Sequence, residues 1–399
     1  MSAPTSILYR EQPDAFIAAH RLAQAQIPPT RLRALLEHRT LTDLFATPWA
    51  DFRRAPFELT EKQTDRLRLA ADAPFPTEFG RTAERLGIRV LLRADPAYPE
   101  SLLPFADIPP LLFVQGETDS LSGRMAAIVG SRRATRYGQE QSERFARLLC
   151  EAGVTIVSGG AAGVDTTAHR SALDAGGKTV VILGCGIDHV YPSSNRALFR
   201  RIAEGGGAIV SEYPIGTPPE PWRFPARNRI IAALSEVTVV IESPPDSGAL
   251  ITARCAAEYG KSVLAVPGAV DTGRSRGCHE LIRDGALIAD NPEDVLFALG
   301  LFGENAGTQR PEPRRSVKLA TPEPEESSNA TPAAAPPPTG PLSPEEERFL
   351  ACLPSVPTHF DAILETAGLS PAQAGVAATL LEMKAQVRRL PGNLFARIA

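Results

Sequence analysis

A doubly wound, mostly parallel α/β fold is predicted for the central part of the sequence, on three observations. Apolar, strand-like runs alternate regularly with helical segments from Met125 to about Leu299. The runs are nearly continuous in Val and Ile, the pattern of parallel strands buried on both faces. Several of them end in small or polar residues: Gly130-Ser131-Arg132, Ser158-Gly159-Gly160, Gly184-Cys185-Gly186, Ser211-Glu212-Tyr213 and Pro267-Gly268. Open α/β sheets hold ligands outside the carboxyl ends of their strands, and small residues there leave a crevice.

The N-terminal 80 residues read as short helices. Asp14–Gln26, Thr30–Glu37 and Thr60–Ala71 carry apolar residues at helical spacing, broken by Pro28-Pro29 and Pro48. A DNA-binding helix-hairpin-helix needs backbone donors in a Gly-x-Gly turn. The turn here is Ile27-Pro28-Pro29, so a structural or protein-contact module is favoured. Strand-like runs follow at Ile88–Leu92 and Leu111–Val114. The α/β region then places strands at Met125–Gly130, Val154–Ser158, Thr179–Leu183, Ala208–Ser211, Val237–Ile241, Val263–Val266 and Ala286–Ile288. Gly303–Pro341 is rich in Pro, Ala, Glu, Ser and Thr. It cannot build a core and reads as a disordered linker. Residues 342–399 return to a globular pattern. Ser343 and Glu346 form a capping box. Helices are expected near Pro344–Cys352, Phe360–Ala367 and Pro371–Lys384, then a hairpin of Val387–Leu390 with Leu394–Ile398. Three helices and a wing describe a winged helix. Its would-be recognition helix carries only the terminal Lys384, which favours protein contact over groove reading. The resulting plan is a helical domain at 1–80, an α/β domain at 81–302, a linker at 303–341 and a winged helix at 342–399.

Composition narrows the function classes. A chain of 399 residues can bury a sizeable core. Its net charge of −4 means that any nucleic-acid site must be a local basic patch. The five cysteines are scattered without a CxxC or a His/Cys cluster, which reads as core residues in a reducing compartment and gives no metal site. The N-terminus lacks a long apolar run and no segment reaches membrane-spanning length, so a soluble cytoplasmic protein is expected.

The chemistry concentrates at the first strand. Strand, tight turn, helix at Ala126–Gly138 aims backbone N–H groups at an anion. Gly130 would let a phosphate approach, Ser131 adds a hydroxyl, and Arg132 and Arg133 add guanidinium groups. A turn with solvated arginines is the plainer reading. Ser247-Gly248, with Thr252, opens another helix and a second anion-friendly N-terminus. Arg196, Arg200 and Arg201 share one helix; Arg223, Arg227 and Arg229 bracket Trp222, Phe224 and Asn228. Cations beside aromatic rings are the make-up of a single-strand site. Asp165 and His169, spaced i, i+4, read as a structural pair orienting a loop, or as an acid/base pair. The turn is not GxGxxG. Gly177-Lys178-Thr179 and Gly260-Lys261-Ser262 precede strands rather than follow them, so they read as helix ends and not P-loops.

Together the motifs IVGSRRATRYG (128–138), VSGGAAGVDTTAH (157–169), LGCGIDHVYPSSNRAL (183–198), SEYPIG (211–216), FPARNRIIAALS (224–235), SGALITA (247–253) and VPG (266–268) resemble the DprA (Smf) family. The resemblance covers about residues 98–290. The flanking helical region (SAM- or helix-hairpin-helix-like) and the winged helix resemble that family's accessory domains. It implies an extended Rossmann-like domain that binds single-stranded DNA, forms a homodimer, and helps load RecA onto DNA coated with single-strand-binding protein in natural transformation. It implies no catalysis and no cofactor. Gly130, Ser131, Arg132, Arg133, Ser158, Gly159, Gly160, Gly163, Arg196, Phe224, Arg227, Asn228, Ser247, Gly248 and Thr252 are then the expected DNA-binding residues, with Asp165 and His169 orienting the site. Of Arg227 and Arg229, about 200° apart on a helix, Arg227 is expected to meet DNA and Arg229 to pair within the protein or face the dimer. Ala162, Ala226, Ser193-Ser194 and His279 depart from the family pattern and remove expected lysines and an asparagine. The competing reading is a nucleotide phosphoribohydrolase, which resembles the crevice in outline. Its catalytic glutamate motif is replaced here by Ser158-Gly159-Gly160-Ala161-Ala162-Gly163-Val164-Asp165.

Overall fold

The computed structural model describes residues 6–301, 342–353, 358–359, 363, 366–369, 371–384, 386–390 and 394–397. The chain divides into two compact units, Met1–Pro311 and Glu312–Ala399.

In the first unit a short strand β1 (Ile7–Leu8) leads into helices α1 (Pro13–Gln24), α2 (Pro29–His38), α3 (Leu41–Leu44), α4 (Glu61–Asp72) and α5 (Thr77–Leu86). Local chemistry fixes their ends. Thr60 and Gln63 form a reciprocal capping box on α4, and Pro29 starts α2. Strands β2 (Arg89–Leu92) and β3 (Leu111–Gly116) follow. Next come β4 (Met125–Val129), α6 (Arg136–Glu151), β5 (Thr155–Ser158), α7 (Val164–Asp174), β6 (Thr179–Leu183), α8 (Arg196–Glu204) and β7 (Ala208–Ser211). The unit continues with α9 (Arg223–Leu234), β8 (Val237–Val240), α10 (Gly248–Glu258), β9 (Ser262–Ala265), α11 (Arg276–Arg283), β10 (Leu287–Ile288) and α12 (Glu293–Ala298). The predicted strands of the α/β region are present within a residue or two at each end. α3, α5 and β1 are additions; α3 and β1, of four and two residues, carry too few periods to register in sequence.

All ten strands form one sheet in the order β1-β2-β3-β7-β6-β5-β4-β8-β9-β10. Strands β4 to β10 are mutually parallel, and β1, β2 and β3 join the β7 edge as antiparallel neighbours. One face packs on α9 and α10 through Ile230, Ile231, Ala249 and Ala253 against Ala127, Val157, Val180 and Val240. The other face is shared by two helical layers. Over β4, β5 and β8 lie α6 and α7, with Phe145, Leu149 and Ala168 on Ile128, Ile156 and Val239. Over β3, β6 and β7 lie the N-terminal helices and α8, where Phe16, Leu22 and Phe199 share a core with Phe113, Val181 and Ile209. Phe16 meets Phe113 edge-on at 6.3 Å, and His20 Nε2 bonds the Ile215 carbonyl at 3.0 Å. Antiparallel strands bring no crossover helix of their own, so the N-terminal helices cover their face.

In the second unit the helix Pro344–Ala351 begins with the predicted Ser343/Glu346 capping box. A helix at Pro371–Met383 and a three-stranded antiparallel sheet of Thr358–His359, Leu394–Arg397 and Val387–Leu390 close a core of Phe349, Ile363, Leu381, Val387 and Phe395. Lys384 Nζ pairs with the buried Glu346 carboxylate at 2.9 Å. The expected helix Phe360–Ala367 falls largely, and the linker entirely, outside the described residues.

Candidate nucleic-acid interface

Chain order along the sheet reverses at β4. From there the chain steps outward through β5, β6 and β7, then returns to the other side of β4 with β8. Loops after β4 and β8 therefore diverge to opposite faces, and a crevice opens between them at the strand carboxyl ends. An open cleft of about 720 Å³ lies there, walled by Gly130–Arg133, Phe224, Pro244–Ala249 and Arg274.

An aromatic and cationic column stands on its rim. The Tyr191 and Phe224 rings lie 5.1 Å apart at 36°, and the Arg132 guanidinium lies 5.6 Å from the Phe224 centroid. Tyr191 is 46 % exposed, so its ring can accept another flat group. Arg132, Arg133 and Arg274 are exposed, and among the described residues none of them has a carboxylate within ion-pair distance. On the far wall Ser247 caps α10 by accepting the Ala249 N–H at 3.3 Å, and the space around Gly248 is open. Asn228 reaches beneath that helix start, donating to the Gly248 carbonyl at 3.0 Å, and Thr252 is buried in the same wall.

Most of the remaining expected site residues are bonded or packed within the protein, although Gly130, Ser131, Asp165 and Arg227 also line the cleft and Arg196 is exposed. Gly130 lines the cleft, and its lack of a side chain also has a packing reason. A Cβ there would meet Val164 Cγ2 at 2.6 Å, so the glycine serves close packing of α7 against the strand end. The Ser131 N–H donates to the Glu242 carbonyl at 2.7 Å and its hydroxyl accepts from Arg133 N–H at 3.1 Å, so neither points into the cleft unpartnered. Ser158, Gly159 and Gly160 are buried; the Ser158 hydroxyl donates to the Ile128 carbonyl at 2.7 Å, and Asn195 donates to the Gly160 carbonyl at 3.0 Å. Gly163 starts α7 at φ +82°, where a Cβ would meet the Ser131 carbonyl oxygen at 2.2 Å. Arg196 is exposed on α8, outside the cleft lining.

Arg227 is the largest correction. It is 4 % exposed, donates to the Gly159 carbonyl at 2.8 Å and to the Ile182 carbonyl, and touches the Asn228 amide oxygen at 3.1 Å. Burial pulls its guanidinium down to about 10. Arg227 lines the cleft while its Nε and Nη1 donors are bonded within the protein, so it braces the cleft floor. Arg229 pairs internally as expected, with a bidentate bond to Glu212 at 2.9 and 2.6 Å; burial opposes its charge, but Glu212 outweighs this and raises it.

Asp165 and His169 share a helix but not a partner. Asp165 accepts N–H bonds from Gly159 at 3.1 Å and Ala161 at 3.2 Å, clasping the loop; burial raises its carboxyl against the pull of Arg227. His169 Nδ1 lies 2.7 Å from the Thr179 hydroxyl, which itself donates to the Ile156 carbonyl. The imidazole must then donate from Nδ1, leaving Nε2 as a buried lone pair without a partner among the described residues. Burial pulls it down to about 3, so it stays neutral. Both residues are struts, the structural member of the two readings.

Sequence reasoning missed Arg274 and Tyr191 as cleft residues. Tyr191 lay within a recognised motif without an assigned role, and no local pattern ties Arg274 to Arg132. Among the described residues no helix is long and apolar enough to cross a membrane, and no group of three or more His, Cys, Asp or Glu could hold a metal ion.

Fold and cleft define a class: a Rossmann-like α/β protein with an open cationic, aromatic crevice at its switch point. Comparison with known proteins gives the family. The model for DNA recombination-mediator protein A matches residues 89–300, and that for the DprA winged helix domain matches residues 333–393. Protein Smf of Synechocystis is 33 % identical over 95 % of this chain and 98 % of its own length. Protein Smf of Escherichia coli is 43 % identical over 50 % of this chain and 53 % of its own, so the chain spans about half of that relative. The X-ray structure of DprA from Streptococcus pneumoniae superposes with a TM-score of 0.59 at 33 % identity, covering 69 % of this chain and 95 % of that one. The chain belongs to the DNA recombination-mediator protein A family.

Proposed function

We propose that the chain binds single-stranded DNA in this cleft and acts as a non-enzymatic recombination mediator in the cytoplasm. It would work as a homodimer formed by the central domain and help RecA assemble on strands coated with single-strand-binding protein during natural transformation. The observation that carries the reading is the Tyr191–Phe224–Arg132 column, set beside Arg133 and Arg274, for none of which a carboxylate lies within ion-pair distance among the described residues. Rings accept bases of any sequence, and unpaired guanidiniums track phosphates. Family membership supports the same chemistry. The electrostatics are local: the chain as a whole is acidic, so the patch, not the net charge, must attract the strand.

The test is an oligonucleotide titration of the full chain at several salt concentrations. Binding should favour single strands over duplex, with log affinity falling by about 0.7 per log salt for each phosphate neutralised. A flat salt response, or equal affinity for duplex, overturns the reading. For the later step, the chain should shorten the lag of RecA assembly on coated strands, and sedimentation should show a concentration-dependent dimer.

A further inference from the structure

In a doubly wound sheet the helix after the first strand ordinarily turns its unpaired N–H groups toward a nucleotide phosphate. In this chain that seat is filled from within. Glu242, 1 % exposed at the end of β8, reaches the start of α6. Its carboxylate accepts the Thr135 N–H at 3.2 and 3.3 Å and the Thr135 hydroxyl, while its carbonyl takes the Ser131 N–H at 2.7 Å. The surroundings are cut to fit it. A Cβ on Gly138, in the first turn of α6, would lie 2.8 Å from Glu242 Oε2, and one on Gly130 would lie 2.9 Å from the Glu242 carbonyl oxygen. The Thr135 hydroxyl itself accepts the Gly138 N–H at 3.2 Å, so Glu242 holds the cap residue of α6; among the described residues the start of α10 has no such carboxylate. There Ser247 supplies its own hydroxyl, and Gly248 stands in open space.

We propose that Glu242 sets the specificity of the cleft. Its carboxylate takes the place and the charge of a nucleotide phosphate at α6, so that free nucleoside phosphates are refused. A polynucleotide does not need that seat, because Arg132, Arg133 and Arg274 meet its phosphates one at a time and the Tyr191–Phe224 column stacks a base. The second half of this statement rests on the DNA reading of the cleft; the exclusion rests on the Glu242 geometry. A phosphate entering the seat would have to displace a buried carboxylate or lie within a few ångströms of it, where like charges repel.

The experiment compares wild type, Glu242→Ala and Glu242→Gln as full chains. Calorimetric titration uses ADP and inorganic pyrophosphate as probes, and anisotropy uses a single-stranded oligonucleotide. Glu242→Ala empties the seat and should bind both small probes at least about tenfold more tightly than wild type, since removing even a partly screened repulsion is worth about 1.4 kcal/mol. Glu242→Gln removes the charge, keeps the shape, and should gain less. Oligonucleotide anisotropy of wild type reads the DNA binding of the cleft separately from the ADP comparison. A purely structural Glu242 would lower stability without any gain in ADP binding. Folded variants that bind ADP no better than wild type overturn the proposal, as does tight ADP binding by wild type itself. If Glu242→Ala does not fold, Glu242→Gln carries the same comparison. Wild type that ignores the oligonucleotide would instead overturn the DNA reading, whatever the ADP titrations give.

Discussion

The Arg132 guanidinium rests against the Phe224 ring and has no carboxylate partner among the described residues, so its charge remains available to a ligand. Arg227, lining the same cleft, gives its Nη1 donors to two carbonyl oxygens. The two should therefore fail differently. Arg132→Ala should weaken oligonucleotide binding for all sequences alike and flatten the salt slope by about one unit. Phe224→Ala should cost about 1–3 kcal/mol of binding with little change in slope, the mark of a stacked base. Arg227→Ala should show mainly in urea unfolding, at about 1–3 kcal/mol for each carbonyl left unpaired, with melting rather than salt response as the readout. His169 gives a pH signature. Its folded value of about 3 lies below the ordinary 6.5, so between those values the unfolded chain takes up a proton that the folded chain does not. Stability should fall with decreasing pH across that window, by up to about 1.4 kcal/mol per pH unit from this group. Asp165, raised by burial, contributes with the opposite sign above its ordinary range. Denaturation curves of His169→Gln at several pH values should show a shallower loss below pH 6.5; a slope identical to wild type would count against a buried neutral imidazole.

At the scale of elements, the walls of the cleft are held by backbone contacts that strand-and-helix patterning could not reveal. The turn after β4 and the start of α7 touch through Gly163, whose φ of +82° and 2.2 Å approach to the Ser131 carbonyl leave no room for a side chain. Gly163→Ala should shift the Ser131–Arg133 loop and lower oligonucleotide affinity together with thermal stability. Unchanged binding would show that the loop tolerates displacement. Lys261 ends one helix in sequence yet caps another in space: its ammonium group donates to the Ala233 carbonyl and, at 2.8 Å, to the Ser235 carbonyl at the end of α9. The sequence reading as a cap was right in kind. Which helix it serves depends on the packing of β8 and β9, beyond any local window. The same limit explains Glu242. A helix start after a glycine turn is visible in the string Gly130–Gly138, but the acid that satisfies it comes from over a hundred residues later.

For the whole molecule, the parallel strands were legible because burial on both faces writes itself as Val/Ile runs. The antiparallel docking of β3 on β7 was not, since edge pairing leaves no period in the sequence. Composition predicts that limited proteolysis of the full chain cuts first within residues 303–341, where ordering entropy has no apolar burial to offset it. Protection across that stretch would overturn the linker assignment.

The N-terminal helices close the face of β3, β6 and β7 with a shared core of Phe16, Leu22, Phe113 and Ile209. For that reason the first eighty residues are a lid riveted to the sheet, not an appendage hung from it. Removing them would strip one side of the strands whose far ends carry the cleft, and leave a greasy plane facing water. The prudent trimming point for a minimal DNA-binding fragment is thus at the other end of the unit, after α12, rather than ahead of β2.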